Sequence, residues 1–227
     1  MSRRRRRSGI RRKLLIAALL LLATPVVAIA AMRWVPPPTT AFMLQSPVQP
    51  VRQQWAPLEA IAPVLAQAVV ASEDQNFPRH HGFDFAAISD AIREGGDGGP
   101  QRGASTISQQ VAKNLFLWPG GGYARKGIEA GLTVLIELLW PKRRILEIYL
   151  NIAELAPGVF GAEAAAMHYF EHSAATLDAN QASRLAAVLP APRRWKAEPP
   201  DEHVLRRSLW IREQMAHVTP SLNDALH

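Results

Sequence analysis

The stretch from Glu73 to Asp84 reads EDQNFPRHHGFD; Gly103 to Asn114 reads GASTISQQVAKN, and Arg125 to Glu129 reads RKGIE. A carboxylate beside a second acid, a Ser/Thr/Gln run and a tight cationic cluster are the groups needed to take a proton from a hydroxyl and to hold a charged phosphate leaving group. Glu73 follows an apolar run, Ala68-Val69-Val70-Ala71. A carboxylate at the end of a mostly buried helix is partly desolvated, which raises its pKa toward general-base values. Asp74 is placed to orient the loop that follows, with Phe77, His80 and Gly82. On a helix starting near Ser105, the residues Thr106, Gln109, Gln110 and Lys113 share one face, opposite Ile107, Val111 and Leu115. Arg125 and Lys126 open a further helix, where two cations oppose the dipole unless an anion binds there. Glu129, one turn on, is either the ion-pair partner of Arg125 or a second carboxylate facing the same site. Singly, each group has an ordinary reading: a solvated acid pair, a wet helix face, and a helix-surface ion pair worth ~0.3–0.5 kcal/mol. The order in which they occur argues for a site.

The elements that must position these groups read as helices. Leu58 to Val70 is apolar at helical spacing and runs into Glu73. Asp84 is a fitting N-cap for Phe85 to Arg93, and Gly95 to Pro100 reads as a loop. Ser105 or Thr106 caps a helix through Leu117, ended by the Gly120-Gly121-Gly122 break. Arg125 to Trp140, Lys142 to Leu155, Gly161 to Phe170, Asn180 to Leu189 and Glu202 to Val218 complete the set. There is no alternating strand series and no internal repeat, so the expected fold class is mainly α.

Charge and hydropathy divide the 227 residues. Eight of the 26 basic residues lie within residues 1–13, and the remaining 18 meet 19 acidic ones. The net charge of +7 therefore describes a tail rather than a basic folded surface, which argues against a nucleic-acid partner. The absence of cysteine excludes disulfides, thiolate nucleophiles and cysteine metal sites. Leu14 to Met32 carries no charge over 19 residues, enough helix to cross roughly 30 Å of hydrocarbon. The basic run before it orients residues 1–13 to the cytoplasm. The rival is a cleaved signal peptide ending near Ala28-Ile29-Ala30, but the apolar stretch exceeds the usual ~7–15 residues of such a peptide. The expected organisation is a basic tail (1–13), a retained transmembrane anchor (14–32), a linker stiffened by Pro36 to Pro38 (33–56) and a catalytic domain (57–227). Leu115 to Trp118 with Tyr123 supplies an aromatic-rich segment suited to a membrane interface.

EDQNFPRHHGFD, RGASTISQQVAKNLFL, RKGIEAGLTVLIELLW, KRRILEIYLNIAELAPGVFGAEAAAMHYF and LPAPRRW together resemble, in order and spacing, the successive motifs of the peptidoglycan glycosyltransferases of glycosyltransferase family 51. The likeness covers Pro57 to Lys196. Without a Ser-x-x-Lys motif, the chain is similar to the monofunctional members, which lack transpeptidase activity. Departures are small: Ser108 where threonine is frequent, and Ala191 where asparagine is frequent. The resemblance implies a lysozyme-like domain with a small membrane-associated hydrophobic lobe, held by one transmembrane helix with the domain in the periplasm. It implies lipid II and the growing lipid-linked glycan as substrates, with the inner membrane and other cell-wall synthases as partners. It makes Glu73 the catalytic base and Glu129 the second catalytic carboxylate, near the donor pyrophosphate. It makes Asp74, Ser105, Thr106, Gln109, Gln110, Lys113, Asn114, Arg125 and Lys126 the substrate-binding set. No organic cofactor is implied; a divalent cation, Mg2+ or Mn2+ at Glu129, is the one candidate cofactor. The rivals are a lysozyme-like hydrolase, which has no use for cations around a leaving group, and a non-catalytic scaffold, which has no use for Glu73.

Overall fold

The computed structural model of the chain describes residue 16, residues 23–87, residue 89 and residues 105–226. Residues 1–13, most of Leu14 to Leu22 and the glycine loop 95–100 lie outside that set, and with them the first part of the expected anchor, apart from Ile16. Among the described residues no helix is long and apolar enough to cross a membrane.

Prolines and side-chain caps set most helix starts. Leu58–Ala60 is a single 3-10 turn, and helix formation waits until Pro63, which as the first helical residue has no N–H to leave unpaired. The helices are α1 (Ala41–Leu44), α2 (Pro63–Glu73), α3 (Ile107–Phe116), α4 (Tyr123–Leu139), α5 (Lys142–Ile152), α6 (Ala162–Phe170), α7 (Ala179–Val188) and α8 (Glu202–Leu226). Thr106 and Asp178 each form a capping box, with Gln109 and Gln181 respectively. Asp84 accepts from Ala87 N at 2.9 Å, so the cap expected there is formed over the described residues 85–87. The described part is mainly helical, as expected.

Two expectations need correction. A small sheet exists: β1 (Arg52–Gln53), β2 (Glu154–Ala156) and β3 (Val159–Phe160) run in the order β1-β3-β2, parallel at the first pairing and antiparallel at the second. Strands of two or three residues are too short to print an alternation, and α5 therefore stops at Ile152 rather than Leu155. The second correction concerns residues 33–56, which are built into the domain. Thr40 caps α1, β1 pairs with β3, and Asn151 brackets Ala56 through both its backbone groups at 2.8 Å.

The helical residues 23–32 also join the domain. Ile29 is fully buried in the core, and its carbonyl accepts from Trp140 Nε1 at 2.7 Å. Arg144 Nε donates to Met32 O at 2.9 Å, and Arg33 donates to Leu139 O at 2.5 Å. Two packed groups then frame the site: α2 against α7 and α8, and α3 against α4 and α5.

Candidate active site

Glu73 is the last residue of α2, and its side chain is 13% exposed. Gln110 Nε2, from α3, donates to Glu73 Oε2 at 2.9 Å. Arg207, from α8, approaches Oε1 at 3.9 Å, too far for a hydrogen bond, so Oε1 carries no hydrogen bond from the described residues. Burial pushes the Glu73 carboxyl above its ordinary pKa, with Asp74 adding; the Gln110 bond and the charges of Arg207 and Lys113 pull the other way. A carboxylate poised this way, with one oxygen held and one open, is suited to accept a proton from a weakly acidic hydroxyl.

Asp74 turns inward. Its side chain is 2% exposed; both oxygens meet His80 Nε2 at 2.9 Å and Oδ2 also accepts from Ile107 N at 2.9 Å. Gly82 N donates to His80 Nδ1 at 3.1 Å, and Thr106 Oγ1 donates to Gly82 O at 2.7 Å. One carboxylate thus ties the loop after α2 to the N-terminus of α3. Gly82 is held at φ +91°, and a Cβ there would lie 2.9 Å from Thr133 Cγ2 on α4. That accounts for glycine at this position.

The polar face expected on α3 divides in two. Thr106 and Gln109 are buried and spend their polar atoms on the capping box; Ser108 is fully buried and donates to Glu137, which also accepts from Lys142 at 2.8 Å. Gln110 and Lys113 remain on the open side. No hydrogen bond or ion pair reaches Lys113 Nζ from the described residues; it stands 5.5 Å over the Phe42 ring. Burial lowers its pKa, opposed by Glu129 and Glu73 and reinforced by Arg125 and Lys126. Asn114 is buried, with Oδ1 unpartnered among the described residues.

Arg125 and Lys126 lie in the first turn of α4, where the N-cap Gly122 contributes no side chain and no acid stands in the first turn. Glu129 compensates: it is 2% exposed, accepts from Arg125 NH1 at 2.7 Å, and accepts from Lys126, which also reaches Ser105 Oγ at 3.2 Å. Arg125 Nε keeps no partner among the described residues. Lys113 Nζ and Arg125 Nε therefore have no hydrogen-bond partner among the described residues, and the charge of Lys113 acts on Glu73 while that of Arg125 acts on Lys113. That arrangement can neutralise a multiply charged anion. It does not fit a metal at Glu129: both oxygens are taken by cations, and no cluster of three acids or histidines exists among the described residues.

Arg207 and Tyr149 escaped the sequence reading. Arg207 falls between Val204 and Ile211 on the buried stripe of α8, and a cation at the edge of such a stripe is the available signal. Tyr149 sits within the wholly apolar-looking core of α5 and gives no signal from pattern alone.

The chain matches the transglycosylase family model over residues 41–216. Curated relatives named biosynthetic peptidoglycan transglycosylase include one from Ectopseudomonas mendocina, 53% identical over 195 residues, covering 82% of this chain and 81% of the relative. Another, from Pseudomonas syringae pv. syringae, is 55% identical over 192 residues and covers 81% of each. A third, from Chromohalobacter salexigens, is 59% identical over 165 residues, covering 73% of this chain and 70% of the relative. The family match begins at Ala41, the first residue of α1, and ends within α8, past Arg207. The chain belongs to the transglycosylase family.

Proposed function

We propose that this chain polymerises lipid II into linear β-1,4 glycan strands, releasing undecaprenyl pyrophosphate. The family and the names of its relatives support a peptidoglycan glycosyltransferase. The observation that carries the mechanism is the pairing of a carboxylate oxygen, Glu73 Oε1, with an ammonium, Lys113 Nζ, that acts on it electrostatically, each without a hydrogen bond among the described residues.

Glu73 takes the proton from the 4-hydroxyl of the acceptor GlcNAc. That oxygen attacks the anomeric carbon of the donor chain from the face opposite the leaving group, so configuration inverts. The electron pair of the breaking C–O bond passes to the lipid pyrophosphate. Lys113 and Arg125 neutralise that charge as it develops, and no general acid is required for so good a leaving group. Lys126 completes the cation set. Glu129 holds Arg125 and Lys126 in place and does not itself face the substrate. Asp74, Thr106 and Gln109 likewise act through the backbone they pin. Ser105 and Asn114 are the remaining polar groups for sugar and phosphate contacts, and Gln110 acts through Glu73. A lysozyme-like hydrolase has no use for cations around a leaving group, and Lys113 Nζ is left without an ion-pair partner among the described residues.

The domain works at the outer face of the inner membrane, attached through the apolar segment 14–32, whose residues 23–32 pack against the domain, and with a hydrophobic lobe meeting the lipid. Trp34, Val35 and Leu138 are exposed, and Arg33's bond to Leu139 O ties together the two segments that carry them; exposed apolar and aromatic side chains of this kind suit the interface. Labelled lipid II incubated with purified protein and run on a gel tests the activity. Polymer from the wild type and none from Glu73→Gln is expected; polymer from a folded Glu73→Gln protein would refute the assignment of the base.

A further inference from the structure

Tyr149 is among the largest fully buried side chains, yet it is not a purely apolar filler. Its hydroxyl donates to Gln110 Oε1 at 3.1 Å, and Gln110 Nε2 donates in turn to Glu73 Oε2 at 2.9 Å. An amide has a fixed polarity: one end accepts and the other donates. With Tyr149 donating to the oxygen, the nitrogen must face Glu73. If the amide turned over, its oxygen would face Oε2. That is repulsive toward an ionised carboxylate and tolerable only toward a protonated one.

We propose that Tyr149 is a positioning residue for the base: it locks the Gln110 amide so that Glu73 is held ionised through Oε2, leaving Oε1 as the oxygen that takes the acceptor's proton. The proposal rests on Glu73 being the general base. Burial raises the phenol's own pKa, with the Glu73 and Asp74 charges adding, so Tyr149 remains a donor throughout the working range. The other charged groups acting on Glu73 are Arg207 on α8, Lys113 on α3 and the neighbouring Asp74, itself bound to His80. None of these touches Oε2 with a hydrogen bond. Removing the Tyr149 hydroxyl therefore leaves the Gln110 orientation without its lock and changes no charge.

Tyr149→Phe keeps the ring and its packing. The expected result is an acid limb of the polymerisation rate profile displaced upward by about one pH unit, the size of a hydrogen bond to a charged group. Below the limb kcat falls about tenfold, while KM for lipid II stays near wild type and the high-pH plateau recovers. Gln110→Met removes the intermediate donor and should displace the limb at least as far. Adding Tyr149→Phe to Gln110→Met should then displace it no further, because the tyrosine acts only through the amide. A merely structural tyrosine would lower the melting temperature and leave the limb where it was. An unmoved limb in Tyr149→Phe, or a further displacement in the double variant, overturns the relay. Activity retained in Glu73→Gln overturns instead the reading on which it rests.

Discussion

The segment before residue 33 should carry stability as well as attachment. Ile29 is wholly buried, and its carbonyl satisfies the Trp140 indole; Met32 O does the same for Arg144. A protein starting at residue 33 loses all three contacts, whereas one starting at residue 23 keeps them. Fully burying an isoleucine is worth about 1.5–3 kcal/mol. The indole hydrogen bond adds about 1 kcal/mol, and the charged bond to Met32 O about as much again. A loss of about 3 kcal/mol follows once water has re-solvated part of the exposed surface. For a domain of this size each kcal/mol moves Tm by roughly 2–4 °C, so the shorter protein should melt roughly 6–12 °C lower. The assay is thermal unfolding of both truncations in the same detergent, with Ile29→Ala in the full chain as the matched single-site change. Ile29→Ala should cost about 2–4 kcal/mol through its cavity. Equal melting temperatures for the two truncations, with an unaffected Ile29→Ala, would refute the argument. They would show that residues 23–32 merely lie against the domain. A protein cleaved near Ala30 would lose Ile29 from its core and should melt lower for the same reason.

Glu73→Gln should abolish polymerisation and raise stability. Burial puts the folded pKa above the unfolded one, so the stability linked to Glu73 is full below the unfolded value and is lost as pH rises through the folded value. The variant's advantage in melting temperature should be present at neutral pH and vanish in acid; an advantage that grows in acid would contradict the sign. Lys113→Ala and Arg125→Ala should each lower kcat/KM at least about tenfold, since a charge-assisted contact is worth ~1.5–3 kcal/mol. Pyrophosphate should raise the melting temperature of the wild type and not of Lys113→Ala, and equal shifts would move the anion site elsewhere. Gly82→Ala meets both a positive φ and a 2.9 Å contact with Thr133, so it should cost about 1–3 kcal/mol and reduce activity by loosening the loop that Asp74 and Thr106 hold; unchanged unfolding and turnover would show that the loop adjusts freely.

What could be read in the sequence was local, and what could not was the choice of partner. The caps at Asp84, Thr106 and the Arg125–Glu129 pair are short-range: each needs only residues three or four apart, and each formed. The mainly α class came through for the same reason, because helical spacing repeats over ten residues or more. The two-residue strands and the tied-in residues 33–56 depend on pairing across a hundred positions, such as Asn151 with Ala56, and no local pattern records that. The polar groups of α3 show where this limit bears on function. Thr106, Gln109, Gln110 and Lys113 share a face and a chemistry, so spacing alone assigned them one role. Burial separates them. The two beside the helix start are spent on the backbone, and the two further along turn to other segments: Gln110 to Glu73 and Tyr149, Lys113 to the Phe42 ring. The deciding neighbours, Gly82, Tyr149, Glu73 and Phe42, come from four other segments of the chain. A polar side chain serves the substrate only where the fold leaves one of its atoms unspent. By that criterion the proposed function rests on Glu73 Oε1 and Lys113 Nζ, while Asp74 and Glu129, both acids within the motifs, are spent on His80, Ile107 N, Arg125 and Lys126.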